Sequence, residues 1–383
     1  MGAGSNPDDS LHIESHAALL QQATDVTTTR RPLDAIVVPT IRPQSLQPAT
    51  ALARDTGCAL VVLCSTPRQV AQVLTECGPP RGDMLVTYVP PPHGNKASKS
   101  QGNNLLAFLT VVHPEMDVEP SCHKDIARKR NVGLLLARLC GWRTIMYLDD
   151  DIRGMTGHAV SRAADLTSCF RAVGFKIDDY PDNSVVCHAH RLSGGKQDIF
   201  PGGSALLVDV EQCYSLFPPI YNEDWLFLFD AVQSSSVAVA GALSQLEYRP
   251  FAHSRRAATE EFGDVIAEGL YQLIHEGTSV TDATVEYWQN VLERRSRLID
   301  HIAAQLLRTE GEAPVIGCAL MSLAAARKRL AAITSLACVS FIHAWRTDLD
   351  NWRERLLGLP TFGDLATATK FLELPDVESC VNR

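Results

Sequence analysis

No apolar run in the 383 residues approaches the ~18 needed to cross a bilayer, so no membrane span is expected. The eleven cysteines include no Cys-x-x-Cys pair, and their scatter reads as buried thiols in a reducing cytosol rather than a disulfide framework. Positive charge is not in excess: the formal net charge of −9 argues against a general nucleic-acid coat or an anionic membrane surface as partner. Phosphates, if bound, must be met at a local site. The opening stretch MGAGSNPDDS is polar and acidic, unlike the basic-then-apolar start of a signal peptide. There is no internal repeat and no low-complexity block. These absences lead to the expectation of a soluble, cytoplasmic protein. The 45% hydrophobic and 21% charged residues are ordinary for a globular chain, long enough for one large domain or two modest ones.

What is present is an alternation of buried strands and helices. LDAIVVPTIRP holds a β-branched run, Ala35–Val38, that stops at Pro39. PATALARDTG reads as a helix ending at Gly57, CALVVLCS as a second strand, and TPRQVAQVLTEC as a helix with Thr66 as N-cap and Pro67 at its first position. DMLVTYVP is a third strand, and the Pro/Gly/Ser/Asn-rich PPPHGNKASKSQGNN after it reads as a mobile loop or surface linker. HKDIARKRNVGLLLARLCG reads as a helix leading into the strand TIMYLDDD. SVVCHAHRL and GGSALLVDV read as later strands. Such alternation predicts a parallel sheet with helices on both faces, whose ligands bind beyond the carboxyl ends of the strands. Pro39-Thr40, Cys64-Ser65 and three acids fall at such ends. From about residue 284 the patterns are long and helical.

The stretch IMYLDDDIRG, Ile145–Gly154, closes an apolar strand on those three acids. Adjacent carboxylates repel, so a half-buried cluster needs a compensating partner. If the strand persists, Asp149 and Asp151 project to one side and Asp150 to the other. Two hard oxygens on one side suit Mg2+ or Mn2+, which keep waters and substrate phosphates in their remaining positions. The plainer alternative, a solvated acidic turn, would not need to follow so apolar a strand.

The segment ARKRNVGLLLARLCGWRTIMYLDDD resembles the nucleotide-sugar half of GT-A glycosyltransferases, and is family 2-like. The matching residues are Arg130, Asn131 and Gly133, then Asp149 and Asp151 as the DxD motif. The resemblance implies that Asp151 ligates a divalent metal on the donor diphosphate and that Asp149 lies nearer the ribose. FPGGSALLVDV is similar to the Gly-rich strand start that faces the acceptor, which makes Gly202, Gly203 and Ser204 candidate substrate contacts. YNEDWLFL resembles the family's ED motif. Its Asp, here Asp224, is the general base of inverting members, with Glu223 beside it to raise its pKa or orient the acceptor. RPFAHSRR places His253 where many GT-A enzymes, retaining ones included, supply a further metal ligand. The resemblance spans roughly residues 33–256. It departs from the family after the second strand, where LCSTPRQ replaces the Asp-rich turn that reads uracil. Ser65 and Thr40 are the polar groups at those strand ends. With Pro39, Arg42, Arg130, Asn131, Asp149 and Asp150 they make up the expected nucleotide contacts. Sugar transfer builds negative charge on a departing diphosphate, which a metal stabilises as a Lewis acid, helped by fixed charge from Arg128, Lys129 or Arg130.

Several residues carry a plainer reading beside the chemical one. Glu223 and Asp224 also suit a helix N-terminus. His253 also reads as a loop histidine, and Trp225 as core rather than a sugar platform. CHAHR puts His188 and His190 on one strand face with no second ligand pair, so zinc is not expected. GGSAL is no nucleophile elbow, because Leu206 stands where glycine is required. The basic RKRN precedes the acidic strand and favours phosphate contact over nucleic acid. Arg255 and Arg256 sit close enough to His253 in sequence to meet a diphosphate.

The expected fold class is α/β of the GT-A type, Rossmann-like with a mixed, mostly parallel sheet and a helical C-terminal region. The expected division is a tail over 1–32 with one short helix, a catalytic domain over 33–283 and helices over 284–383 that form a lid or a homodimer interface. Within the catalytic domain, 33–151 is the nucleotide half and 152–283 the acceptor half. The expected function is metal-dependent glycosyl transfer with Mn2+ or Mg2+. The donor would be a nucleotide-sugar, UDP-linked by preference and GDP-linked otherwise, and the acceptor a soluble small molecule. No nucleic acid and no membrane partner is expected. A nucleotidyltransferase acting on a sugar phosphate is the first rival, though PTIRPQ lacks that class's Gly-rich basic loop. A non-catalytic binding protein with vestigial acids is the second.

Overall fold

The computed structural model describes residues 16–23, 26–78, 80, 82–90, 105, 121–178, 183–196, 198–309 and 311–376. The stretch read as a loop or linker falls almost wholly on 91–104, and the polar opening of the tail on 1–15, outside those residues. The strands are β1 (Gln21–Gln22), β2 (Ala35–Pro39), β3 (Ala59–Cys64), β4 (Met84–Tyr88), β5 (Thr144–Leu148), β6 (Ile152–Arg153), β7 (Ala172–Ile177), β8 (Ala205–Asp209) and β9 (Val237–Gln245). They form one sheet in the order β1-β9-β7-β8-β5-β2-β3-β4, with β6 paired to β9. All neighbours on that path are parallel except β8, which runs antiparallel to both β5 and β7. The expected mixed, mostly parallel sheet is therefore what the chain forms.

Successive side chains of a strand point to opposite faces, and two cores follow from that. Val37, Val61, Ile145 and Tyr147 enter one. Ile36, Val62, Met146 and Leu148 enter the other. Helices Gln47–Thr56, Pro67–Cys77 and Gly157–Leu166 cover the second face. Thr66 caps the Pro67 helix as expected, its hydroxyl accepting from the Gln69 N–H at 3.3 Å. Helix Ser121–Cys140 covers the first face, and Gly133 lets it approach the sheet. A β-carbon there would lie 2.7 Å from Val37 Cγ1 and 3.3 Å from Tyr147 Cε1.

SVVCHAHRL forms a helix, Val185–Leu192, not the expected strand. Ser184 caps it through the Cys187 N–H, and Val185, Val186 and Ala189 bury one face at helical spacing. His188 and His190 consequently do not share a face. The long helical patterning expected after residue 284 is also interrupted: helices Ala313–Leu330 and Ser335–Leu357 meet at a 79° bend. There Thr334 adopts an extended cap conformation and accepts from the Ala337 N–H. The C-terminal helices do not stand apart from the sheet. Trp288, Phe341 and Trp352 belong to the same core as Tyr147 and Phe217, and Trp352 Nε1 donates to the Ser215 carbonyl at 2.9 Å. Among the described residues, no single helix is long and apolar enough to cross a membrane.

The chain order places the functional crevice. From β2 the path runs outward through β3 and β4, then returns to lay β5 on the other side of β2. Ligands of open α/β sheets bind beyond the strand ends at such a switch point. Thr40 and Asp149, the residues just past β2 and β5, stand there.

Candidate active site

β5 ends at Leu148, and Asp149 is held by the adjoining antiparallel strand: its N–H donates to the Ser204 carbonyl at 2.8 Å. Both oxygens of Asp149 accept from Arg130 Nη2 at 3.1 Å. The other arm of Arg130, Nη1, donates to Glu223 at the start of helix Glu223–Gln233. Arg130 is itself fixed from behind, where the Tyr147 hydroxyl donates to its carbonyl at 2.9 Å. Burial works against the Arg130 charge, yet Asp149, Glu223 and Asp224 together hold its pKa above the ordinary guanidinium value. The acids bear the opposite strain. Burial pushes Asp149 up to about 7 against the pull of Arg130, with Asp151 and Asp150 adding to the push. Burial likewise pushes Glu223 up to about 8.

The strand does not persist through the acids, so alternation does not position Asp151. Asp150 faces β2 and is saturated there: it accepts from the Thr40 hydroxyl at 2.7 Å, the Arg42 N–H at 2.9 Å and Arg42 Nε at 3.0 Å. Asp151 turns to the same arginine, accepting from Arg42 Nη2 at 2.5 Å and from Gln245 Nε2 at 3.1 Å. Asp150 and Asp151 are nearly buried, at 3% and 7% side-chain exposure, whereas Arg42 is 39% exposed and lies over them.

Asp224 meets the glycine pair just before β8. Asp224 Oδ2 accepts from the Gly203 N–H at 2.6 Å and its Oδ1 from the Trp225 N–H at 2.9 Å. Two backbone donors fix the carboxylate's orientation while leaving lone pairs free. The glycines are required by this approach. A β-carbon on Gly202 would overlap Asp224 Oδ2, and one on Gly203 would sit 2.5 Å from Arg130 Nη1.

Other expected contacts are engaged inside the protein. Asn131 does not face a nucleotide: its amide both donates to and accepts from the Phe217 backbone, at 2.8 and 2.9 Å. Lys129 is fully buried and binds the Thr40 carbonyl, Ser65 Oγ and Asp125, so it adds no charge for a phosphate. The Ser65 hydroxyl donates to Asp125 at 2.8 Å. Arg128 pairs weakly with Asp125 at 3.4 Å. Pro39 is buried as the last residue of β2, and Ser204 is buried with its carbonyl on Asp149. Trp225 packs among Phe200, Tyr271 and His16, with ring centroids 4.8, 5.1 and 5.3 Å away, which is the core role. His253 is exposed. Arg256 turns away from it to pair with Glu260 and to lie over the Tyr248 ring. His188 bonds Tyr248 and Arg191.

Among the described residues, no three His, Cys, Asp or Glu side chains gather in a way that could hold a metal. The expected trio of Asp149, Asp151 and His253 is thus not assembled. Oxygen donors of another kind are present. Gln245 Oε1 is buried beside Asp151 without a hydrogen-bond partner, which costs about 1–3 kcal/mol unless something binds it. Two carboxylates and an amide oxygen are hard donors, and Mg2+ commonly takes only one or two carboxylates from a protein. The donor set therefore fits a divalent cation.

No family model and no curated protein matches the chain. Several solved structures resemble it, among them the following two. One is glucosyl-3-phosphoglycerate synthase from Mycobacterium tuberculosis, in complex with Mn2+, uridine diphosphate and phosphoglyceric acid. It is 13% identical over 65% of this chain and 80% of that one, with a TM-score of 0.36. The other is a mannosyltransferase from Pyrobaculum calidifontis, in complex with GDP-Man and Mn2+. It is 14% identical over 94% of this chain and 93% of that one, with a TM-score of 0.41. At these values neither likeness bears on what this chain binds.

Sequence reasoning missed Asp125 and Gln245. Asp125 was legible as the i, i+4 partner of Lys129. Gln245 had no local signal, since only the β6–β9 pairing brings it to the acids.

Proposed function

We propose that the chain is a metal-dependent glycosyltransferase. It would move a sugar from a nucleotide diphosphate sugar, UDP-linked by preference, to a soluble small-molecule acceptor. The observation that carries this reading is the acid excess at the switch point. Among the described residues, the side chains of Asp149, Asp150, Asp151, Glu223 and Asp224 gather around Arg42 and Arg130, and two of the carboxyls are driven far above their ordinary range. Such a crevice repels a diphosphate unless a cation joins it. Mn2+ or Mg2+ held by Asp149 and Asp151 would supply that charge and act as a Lewis acid toward the leaving diphosphate.

The chain's own groups do the rest. Asp224, oriented by the Gly203 and Trp225 N–H groups, accepts the acceptor hydroxyl's proton as that oxygen bonds to the anomeric carbon. The bond from that carbon to the diphosphate oxygen breaks, and its electron pair leaves with the nucleoside diphosphate. Glu223 is bound to Arg130 rather than aimed at the acceptor, so its part is to hold the guanidinium between the donor and acceptor acids. Transfer with a base at Asp224 inverts the anomeric centre.

Product analysis tests the reading. Incubation with nucleotide sugars, Mn2+ and a panel of hydroxyl acceptors should release free nucleoside diphosphate. Release of pyrophosphate would instead establish a nucleotidyltransferase.

A further inference from the structure

We propose that Gln245, through Oε1, is a ligand of the divalent cation. The inference rests on the metal-dependent reading above and names a residue which neither the DxD pattern nor the expected histidine supplies. Gln245 is the last residue of β9, in register with Ile152 just past the acid turn. The next residue ties the same two segments again, the Leu246 N–H donating to the Asp151 carbonyl at 3.0 Å. Backbone pairing on both sides therefore fixes the side chain beside Asp151.

The hydrogen bond decides which end of the amide is which. Nε2 donates to Asp151 Oδ2 at 3.1 Å. The flipped amide would set two acceptor oxygens against each other. Oε1 is left buried with no partner, and native proteins rarely leave a buried acceptor so unless an ion or water meets it. An amide carbonyl is a hard oxygen of the kind such cations take. Being neutral, it coordinates without adding a further negative charge to an acid-rich site. His253, the histidine expected in this role, is exposed.

Two variants separate ligation from mere orientation of Asp151. Gln245→Leu removes both the oxygen and the donor, and Gln245→Glu, once ionised, keeps an oxygen ligand but cannot donate to Asp151. Mn2+ affinity is measured on wild type and both variants by calorimetry and by the free Mn2+ paramagnetic resonance signal, with circular dichroism as the fold control. Ligation predicts that Gln245→Leu weakens Mn2+ binding about tenfold or more, while Gln245→Glu binds at least as tightly as wild type. Unchanged affinity in Gln245→Leu overturns the proposal. So does weakening in both variants, which would mean that Gln245 acts only by its hydrogen bond to Asp151. Should Gln245→Leu not fold, Gln245→Met, of similar length but with neither a hard oxygen nor a donor, takes its place with the same two outcomes. Wild-type protein that binds no Mn2+ overturns the metal reading itself, and this proposal with it.

Discussion

Asp149, at the end of a strand, and Glu223, at the start of a helix, are bound to separate arms of one buried guanidinium, that of Arg130. The donor-side and acceptor-side acids are thus not independent. Arg130→Met would leave two raised-pKa carboxyls without their counter-charge. Breaking a buried pair costs about 3–5 kcal/mol, and urea denaturation should show a loss of that order. Arg130→Lys, a point charge, cannot serve both acids with the same geometry. It should keep more stability than the methionine variant, yet lose about 100-fold or more in kcat/KM.

Gly203→Ala places a methyl 2.5 Å from Arg130 Nη1. Neither residue can give freely, because the two arms of Arg130 are bound to Glu223 and Asp149 and the Gly203 N–H holds Asp224. A displacement of about 1 Å at a reacting group can cost 100-fold. Gly203→Ala and Gly202→Ala should each lower kcat by about that factor. The nucleotide affinity measured by calorimetry should change much less.

Asp224→Asn keeps one oxygen for a backbone N–H but has no basic lone pair of comparable strength. Turnover should fall by about 100-fold or more, with donor affinity nearly intact. A parallel fall in donor affinity with turnover preserved would remove Asp224 from the base role.

The raised carboxyls give a pH signature whose sign is fixed. Asp149, at about 7, keeps its proton in the folded chain over the range from about 4 to 7 in which an unfolded aspartate has lost it. The folded state then binds more protons, so stability is greatest at low pH and falls as pH rises through that window. Glu223 extends the window to about 8. A cation requires the ionised carboxylate, so Mn2+ affinity should rise with pH through about 7 and level off above. Asp149→Asn should flatten part of the stability loss. Mn2+ affinity that does not change between about pH 6 and 8 would contradict the assignment.

Much of the sheet was legible because buried parallel strands read as unbroken β-branched runs, as in Ala35–Val38 and Ala59–Cys64, set between capped helices. The helix at Val185–Leu192 was not, since eight residues with two adjacent valines fit either period until tertiary burial chooses one. At the site, the acid turn and the Glu223-Asp224 pair were visible as local residue strings. Their partners were not. That Arg42 serves Asp150 and Asp151, that Asn131 clamps Phe217, and that Gln245 meets Asp151 all depend on segments distant in sequence. His253 shows the converse. Its position in the string suggested a ligand, but the loop leaves it at the surface.

In the proposed function the acid turn holds a cation, which in turn holds the diphosphate. Calorimetric titration of UDP and of GDP into the protein, with and without Mn2+, tests it most directly, with the Asp149→Asn, Asp151→Asn double variant alongside. Nucleotide binding should require Mn2+ and vanish in the double variant while its circular dichroism is unchanged. Binding of equal strength without the metal, or undiminished in the double variant, would contradict it.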